Sequence, residues 1–271
     1  MDFFTALTQY TFLQNAVFAA VLSAITCGVI GSFVVVRRMS MISGGLAHAV
    51  LGGIGVAYYF GFPSMTGAFI TAVLMAIALA WLKSKNFANE DIIISAFWSG
   101  GMAVGIIFMN LTAGYNVDLM TVLFGNILLV TKTDLYILLS LAVSVCLFAF
   151  LFYRQLISAS FDEIYAKLRG LNSTLISVLL LILTAVSIVI IMKIVGLLLV
   201  MALMTLPAAS ARFFSASVAQ MIFGAIIIGL FNCLTGIIAA YIPDLPPGPV
   251  IILISTFVYF GSLALSKFIK I

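Results

Sequence analysis

Long apolar runs, broken by short polar or glycine- and proline-bearing stretches, organise the whole chain. Nine runs stand out: Phe12–Val36, Gly44–Phe60, Met65–Leu82, Ile92–Asn110, Leu135–Tyr153, Leu175–Met192, Val195–Ala211, Val218–Ile242 and Val250–Leu265. A helix needs roughly 20 apolar residues to cross a bilayer core. Strands of a membrane barrel would alternate apolar and polar positions, and these runs are apolar throughout. Backbone groups at bilayer depth find no water, so each run must bond its own N–H and C=O groups, as a helix does. The pattern predicts an all-α, polytopic transmembrane helix bundle of about nine spans, with eight as the alternative, in a single domain over residues 1–271.

Two stretches fit that scheme less simply. Met120–Val130 (MTVLFGNILLV) is apolar but too short to cross as a straight helix. It reads as a re-entrant or surface-lying helix on the outer side. Val195–Ala211 is also short and contains Gly196 and Pro207. Should it re-enter rather than cross, the chain has eight spans.

Charge then orients the bundle. With the N-terminus outside, nine crossings leave the C-terminus inside. The inner segments then hold Arg37, Arg38, Lys83, Lys85, Arg154, Lys167, Arg169, Arg212, Lys267 and Lys270, whereas the outer ones hold only Lys132 and Lys193. Basic residues gather on the cytoplasmic side of membrane proteins, so ten against two sets the chain N-out and C-in. Arg37, Arg38 and Arg212 mark the cytoplasmic interface. Composition agrees: 65% of the residues are hydrophobic and 7% charged, against about 25% charged in soluble domains. The net charge of +4 belongs to this asymmetry and not to nucleic-acid binding. No Lys or Arg precedes the first apolar run, whereas a cleavable signal peptide has a basic leading segment. The first span is therefore expected to stay in the mature protein.

Chemistry-bearing residues are few. Cys27, Cys146 and Cys233 each lie alone in an apolar run, with no CxxC spacing, and read as small packing residues. Gly101 and Gly105 stand four apart, and Gly52, Gly53 and Gly55 crowd one segment. Such small residues let membrane helices approach closely. His48, the one histidine, falls in SGGLAHAVLGGIG inside the second span. An ionisable group at that depth is a functional candidate, and neutral imidazole is a common metal ligand; a hydrogen bond across helices is the plainer reading. Asp118, Asp134 and Asp244 fall on the outer side, either drawing cations toward the mouth or facing water. No lysine follows a glycine, so the phosphate-binding loop of nucleotide hydrolases is absent, and any ATP chemistry must come from a partner.

The longest inner loop is Arg154–Ser173. Within it Phe161–Leu171 (FDEIYAKLRGL) carries apolar residues at three- and four-residue steps, Ser160 and Asp162 as candidate N-caps and Gly170 as a stop. It predicts a short amphipathic helix on the cytoplasmic face, either an ordinary loop helix or a knob that docks into another protein.

Five segments together resemble the metal-ion ABC transporter permeases of the zinc, manganese and iron importer family, the ABC-3 type membrane subunit. They are VVRRMSMISGGLAHAVLGGIGVAYYFG (Val35–Gly61), NILLVTKTDL (Asn126–Leu135), SFDEIYAKLRGLN (Ser160–Asn172), KIVGLLLVMALMTLPAASARFF (Lys193–Phe214) and PPGPVIIL (Pro246–Leu253). They follow the family's order across essentially the whole chain. The resemblance implies a channel-forming permease without catalysis of its own and without a tightly bound cofactor, located in a bacterial or archaeal cell membrane. It implies two permease copies, two cytoplasmic ATPase subunits that supply ATP hydrolysis, and an extracytoplasmic metal-binding receptor. Phe161, Asp162, Glu163, Tyr165, Ala166, Leu168 and Gly170 would then form the coupling helix that meets the ATPase, and His48 would lie on the metal pathway. Many manganese-type members carry Asp four residues before that histidine, where this chain has Gly44. Loss of a hard oxygen ligand beside imidazole favours zinc over manganese or iron. A stand-alone secondary transporter not driven by ATP is the competing reading, but its proton relay would call for Asp or Glu within the spans, and the nine runs contain neither. An intramembrane enzyme is a third, weakly supported by one histidine and scattered serines.

Overall fold

The computed structural model describes residues 3–84, 90–112, 119–161, 166, 170–241 and 243–268. Lys85, Asp118, Asp162, Glu163, Tyr165, Lys167, Leu168, Arg169, Ile242 and Lys270 lie outside the described residues. Regular structure among the described residues is helical throughout. The helices are α1 (Phe3–Gln9), α2 (Thr11–Val36), α3 (Ser40–Tyr59), α4 (Ser64–Ser84), α5 (Glu90–Leu111), α6 (Leu119–Phe124), α7 (Lys132–Leu151), α8 (Tyr153–Phe161), α9 (Ser173–Val195), α10 (Leu197–Arg212), α11 (Val218–Tyr241) and α12 (Pro247–Phe268), with a 3₁₀ turn at Ile127–Leu129. Among the described residues eight helices are long and apolar enough to cross a membrane: α2, α3, α4, α5, α7, α9, α11 and α12.

Contacts gather the chain into two compact units. The first comprises Met1–Arg37, Met120–Tyr153 and Ile190–Ile271. Its centre is α2, which packs against α7, α10 and α11. Gly28 lies against Ile226 and Gly229 against Ala24, so α2 and α11 run antiparallel at close range. Two of the three hydroxyls buried in α2 bond to their own helix, Ser32 Oγ donating to the Gly28 carbonyl at 2.7 Å and Thr26 Oγ1 to Leu22 at 2.8 Å, which keeps those two satisfied without water. Helix α7 starts where Thr131 caps it. The Thr131 hydroxyl oxygen accepts from the Asp134 N–H at 3.2 Å, and the Asp134 carboxylate accepts from the Thr131 N–H at 3.3 Å, a reciprocal box that satisfies two otherwise free donors.

The two awkward stretches resolve within this unit. Met120–Val130 forms α6 and the 3₁₀ turn, hinged at Gly125 with φ +62°; neither piece has the length to cross. Gly125 presses backbone to backbone on Gly196, itself at φ +85°. Both conformations favour glycine, and a Cβ on either would run into the other's main chain. Helix α10 has 16 residues, about 24 Å of rise against a core of about 30 Å. It begins at this glycine junction, where Gly248 at the start of α12 also packs on the Phe124 carbonyl. Toward its other end Ala208 and Ala211 share a cluster with Val35 of α2 and Met221 and Ala225 of α11. The helix therefore runs from the end where α12 starts to the end where α2 finishes and α11 starts. It extends from one end of the unit to the other although its length falls below that of the eight long helices.

The second unit comprises Arg38–Leu119 and Arg154–Val189. Here α3 lies between α4 and α5. Fifteen of its 20 residues are buried, His48 among them. It starts at Ser40, four residues before the apolar run, because Ser40 and Ser43 extend the helix and the Ser43 hydroxyl returns to the Ser40 carbonyl at 2.8 Å.

Candidate functional site

Glycines on α3 set the distance at which α5 lies. A Cβ placed on Gly52 would stand 2.9 Å from the Gly101 carbonyl oxygen, one on Gly101 2.5 Å from Ala49 Cα, and one on Gly105 2.5 Å from the Leu51 carbonyl oxygen. Gly53 meets Gly67 and Thr71 of α4 in the same manner. Gly52, Gly53, Gly101 and Gly105 thus all sit at backbone-to-backbone approaches. Small residues are what such membrane packing requires.

That approach brings Trp98 of α5 flat onto His48, with ring centroids 4.4 Å apart and planes inclined by 11°. His48 is 6% exposed. Its Nδ1 is buried and has no hydrogen-bond partner among the described residues. A cross-helix hydrogen bond, the plainer sequence reading, is therefore not made through Nδ1. In a neutral imidazole protonated on Nε2, the buried Nδ1 would be an acceptor without a donor. Trp98 is not among the sequence candidates. An aromatic in an apolar run looks like any lipid-facing residue, and the one available signal is its position three residues before Gly101 on the helix that packs against α3. Among the described residues no three of His, Cys, Asp and Glu stand close enough to hold a metal ion.

The structure places the basic candidates Arg37, Arg38 and Arg212 at helix termini. Arg37 follows the last turn of α2 and is half-buried. Arg38 is exposed, with a left-handed φ of +56°. Arg212 is exposed in the last turn of α10. Packing of Val35 with Ala211 puts Arg37 and Arg212 at the same end of the first unit.

Of the predicted coupling segment, the described residues are Phe161, Ala166, Gly170 and Leu171. Phe161 is 72% exposed and Ala166 fully buried. Gly170 has φ +77°, and the Leu171 N–H bonds to the Ala166 carbonyl at 3.0 Å. A six-to-one bond over a left-handed glycine is one of the two bonds of a Schellman motif. Ser160 proves not to be an N-cap. It lies inside α8, which ends at Phe161, and its hydroxyl donates back to the Leu156 carbonyl.

At the opposite end of the first unit Asp134 forms an ion pair with Lys193 at 2.6 Å. Asp244 has a left-handed φ of +54° and lines a cleft of about 210 Å³ with Phe124, Asn126, Pro246 and Gly248. By the charge asymmetry this is the outer end.

The architecture is that of a polytopic helical membrane protein. The sequence matches the ABC 3 transport family over residues 9–266, and the chain belongs to that family. It is 39% identical to the uncharacterized membrane protein slr2045 of Synechocystis sp. over 96% of this chain and 92% of that protein. It is 35% identical to the manganese transport system membrane protein MntC of Halalkalibacterium halodurans, over 94% of this chain and 87% of the relative. Among solved structures, PsaBC from Streptococcus pneumoniae in complex with Fab superposes with a TM-score of 0.85 at 32% identity, covering 96% of this chain and 94% of that one.

Proposed function

We propose that the chain is the membrane-spanning subunit of an ATP-driven importer that carries a divalent transition metal into the cytoplasm, and that the metal passes His48. The observation that carries the reading is the buried imidazole, fixed flat against Trp98 with Nδ1 unbonded, in a chain whose nine apolar runs hold no Asp or Glu for proton coupling. Its relatives include a protein named for manganese transport. One imidazole per copy lets two copies of the permease touch a passing ion without building the four-ligand cage that would trap it. Two cytoplasmic ATPase subunits drive the cycle through the segment ending at Gly170. An extracytoplasmic receptor delivers the ion to the end that carries Asp244. The assembly sits in the bacterial or archaeal cell membrane.

Zinc is the favoured ion, since imidazole suits zinc and Gly44 offers no hard oxygen one turn from His48. Manganese is the second reading, supported by the names of relatives such as MntC. The test is ATPase activity of the reconstituted complex with receptor protein loaded with zinc, manganese or iron. Stimulation by zinc above manganese is expected. Stimulation by manganese alone would replace zinc in this proposal, and a chain that transports metal when purified free of any ATPase would return the reading to a secondary transporter.

A further inference from the structure

The seam between α3 and α5 is pinned on both sides of His48. A Cβ on Gly45 would stand 2.7 Å from Ile94 Cγ2, and one on Gly101 2.5 Å from Ala49 Cα. Further along, Gly55 meets Gly105 in the same order, so the two helices run parallel. Ile94 precedes Trp98 by four residues and Gly101 follows it by three. The half-buried indole therefore sits within about 6 Å, along the helix axis, of a close approach on either side. These approaches fix both the spacing and the register of the helices where the two rings meet. The flat stack, with centroids 4.4 Å apart and planes inclined by 11°, is held by the main chains that flank it.

A stack and a metal use different parts of an imidazole. The indole covers a face of the ring, whereas an ion is bound by a nitrogen lone pair lying in the ring plane. Fixing the plane therefore fixes the directions in which the nitrogens can bind. Metal sites commonly orient a ligating histidine by a hydrogen bond to its other nitrogen; a stack orients the ring without using a nitrogen. A bound cation also draws electron density from the imidazole. Its more positive face then rests against the negative face of the indole, an attraction of the cation–π kind. An aromatic ring at this position thus favours the metal-bound imidazole over the free one, which an aliphatic side chain of similar size cannot do.

We propose that Trp98 is a positioning residue for transport, which holds the plane of the His48 imidazole for the passing ion. The role rests on the reading that the metal passes His48.

The test is uptake per assembled complex, with the receptor protein loaded with zinc or with manganese. The variants are Trp98→Phe, Trp98→Leu, His48→Gln, and Trp98→Leu combined with His48→Gln. Trp98→Leu should lower the maximal rate at least about fivefold and leave the receptor concentration for half-maximal uptake unchanged, because the receptor docks elsewhere. Trp98→Phe restores a flat ring and should keep most of the rate. In the His48→Gln background Trp98→Leu should cost nothing further, since no imidazole is left to orient. Should Trp98→Leu not assemble, Trp98→Met takes its place, a flexible side chain that fills space without a ring. A parental rate in Trp98→Leu beside an impaired His48→Gln would overturn the positioning role alone. So would an equal fractional loss in both backgrounds, which would make the indole a packing residue, or a Trp98→Phe as impaired as Trp98→Leu. A parental rate in His48→Gln would instead remove His48 from the pathway, and this role of Trp98 with it.

Discussion

His48 and the glycines near it show how much a single side chain decides in this protein. The imidazole is buried, stacked on Trp98 and unbonded at Nδ1. Gln in its place keeps a polar, hydrogen-bonding side chain but binds metal poorly. We expect His48→Gln to assemble and to lower metal uptake at least about tenfold, a barrier increase of about 1.4 kcal/mol. Parental uptake in vesicles holding the intact variant would remove His48 from the pathway. The glycines divide by what surrounds them. Gly105→Val would push a side chain into the Leu51 carbonyl, and overpacking of this kind costs about 1 to 3 kcal/mol. Gly100 lies on the same helix, and a methyl group there would meet nothing within 4 Å. Gly100→Ala should therefore leave stability level or raise it by up to about 1 kcal/mol through helix propensity. Unfolding in detergent followed by circular dichroism separates the two, and equal midpoints for both variants would contradict the packing argument.

Among the elements, those with the simplest physics are legible in the sequence. Long uninterrupted apolar runs have one solution in lipid, so composition alone locates the eight long helices. Their ends shift where local chemistry intervenes. Thr131 and Asp134 start α7 at Lys132, and Pro247, a residue type suited to the first helical position, starts α12 three residues before the apolar run. Helix α10 is ambiguous in sequence because its length, Gly196 and Pro207 all count against a span, and its contacts show only that it runs from one end of the unit to the other. Trp98 is invisible as a candidate, since what distinguishes it is its stacking on His48 of another helix. The coupling segment is an expectation from amphipathic spacing, and among its described residues Gly170 has a left-handed φ with the Leu171 N–H bonded to the Ala166 carbonyl. A docking helix is held by burying its apolar face in a partner's groove, and Phe161 is exposed as such a role requires. We expect the double variant Phe161→Ala, Tyr165→Ala to retain its fold and the ATPase activity of the complex while metal uptake falls at least about tenfold. Uptake that still keeps pace with hydrolysis would count against coupling through this segment.

For the whole molecule, the short helix α10 fixes which side of the membrane the C-terminus faces. If it crosses, the chain makes nine passes and its two ends lie on opposite sides. If it re-entered instead, Arg212, Lys267 and Lys270 would move outside, and the basic residues would divide seven against five rather than ten against two. The positive-inside bias favours the first division. The packing of Ala208 and Ala211 with Val35, Met221 and Ala225 favours it independently, because it brings the end of α10 to the end of the unit where α2 stops and α11 starts. Cysteine labelling of intact cells tests both arguments in a background from which Cys27, Cys146 and Cys233 have been removed. An impermeant reagent added outside should modify Lys132→Cys, and should reach Lys167→Cys and Lys267→Cys only after the membrane is opened. Reaction of Lys267→Cys as well as Lys132→Cys in intact cells, with Lys167→Cys still protected, would make α10 re-entrant and leave the earlier spans as they are. Reaction of Lys167→Cys would reverse the orientation, put the coupling segment on the wrong side for a cytoplasmic ATPase, and take the importer reading with it.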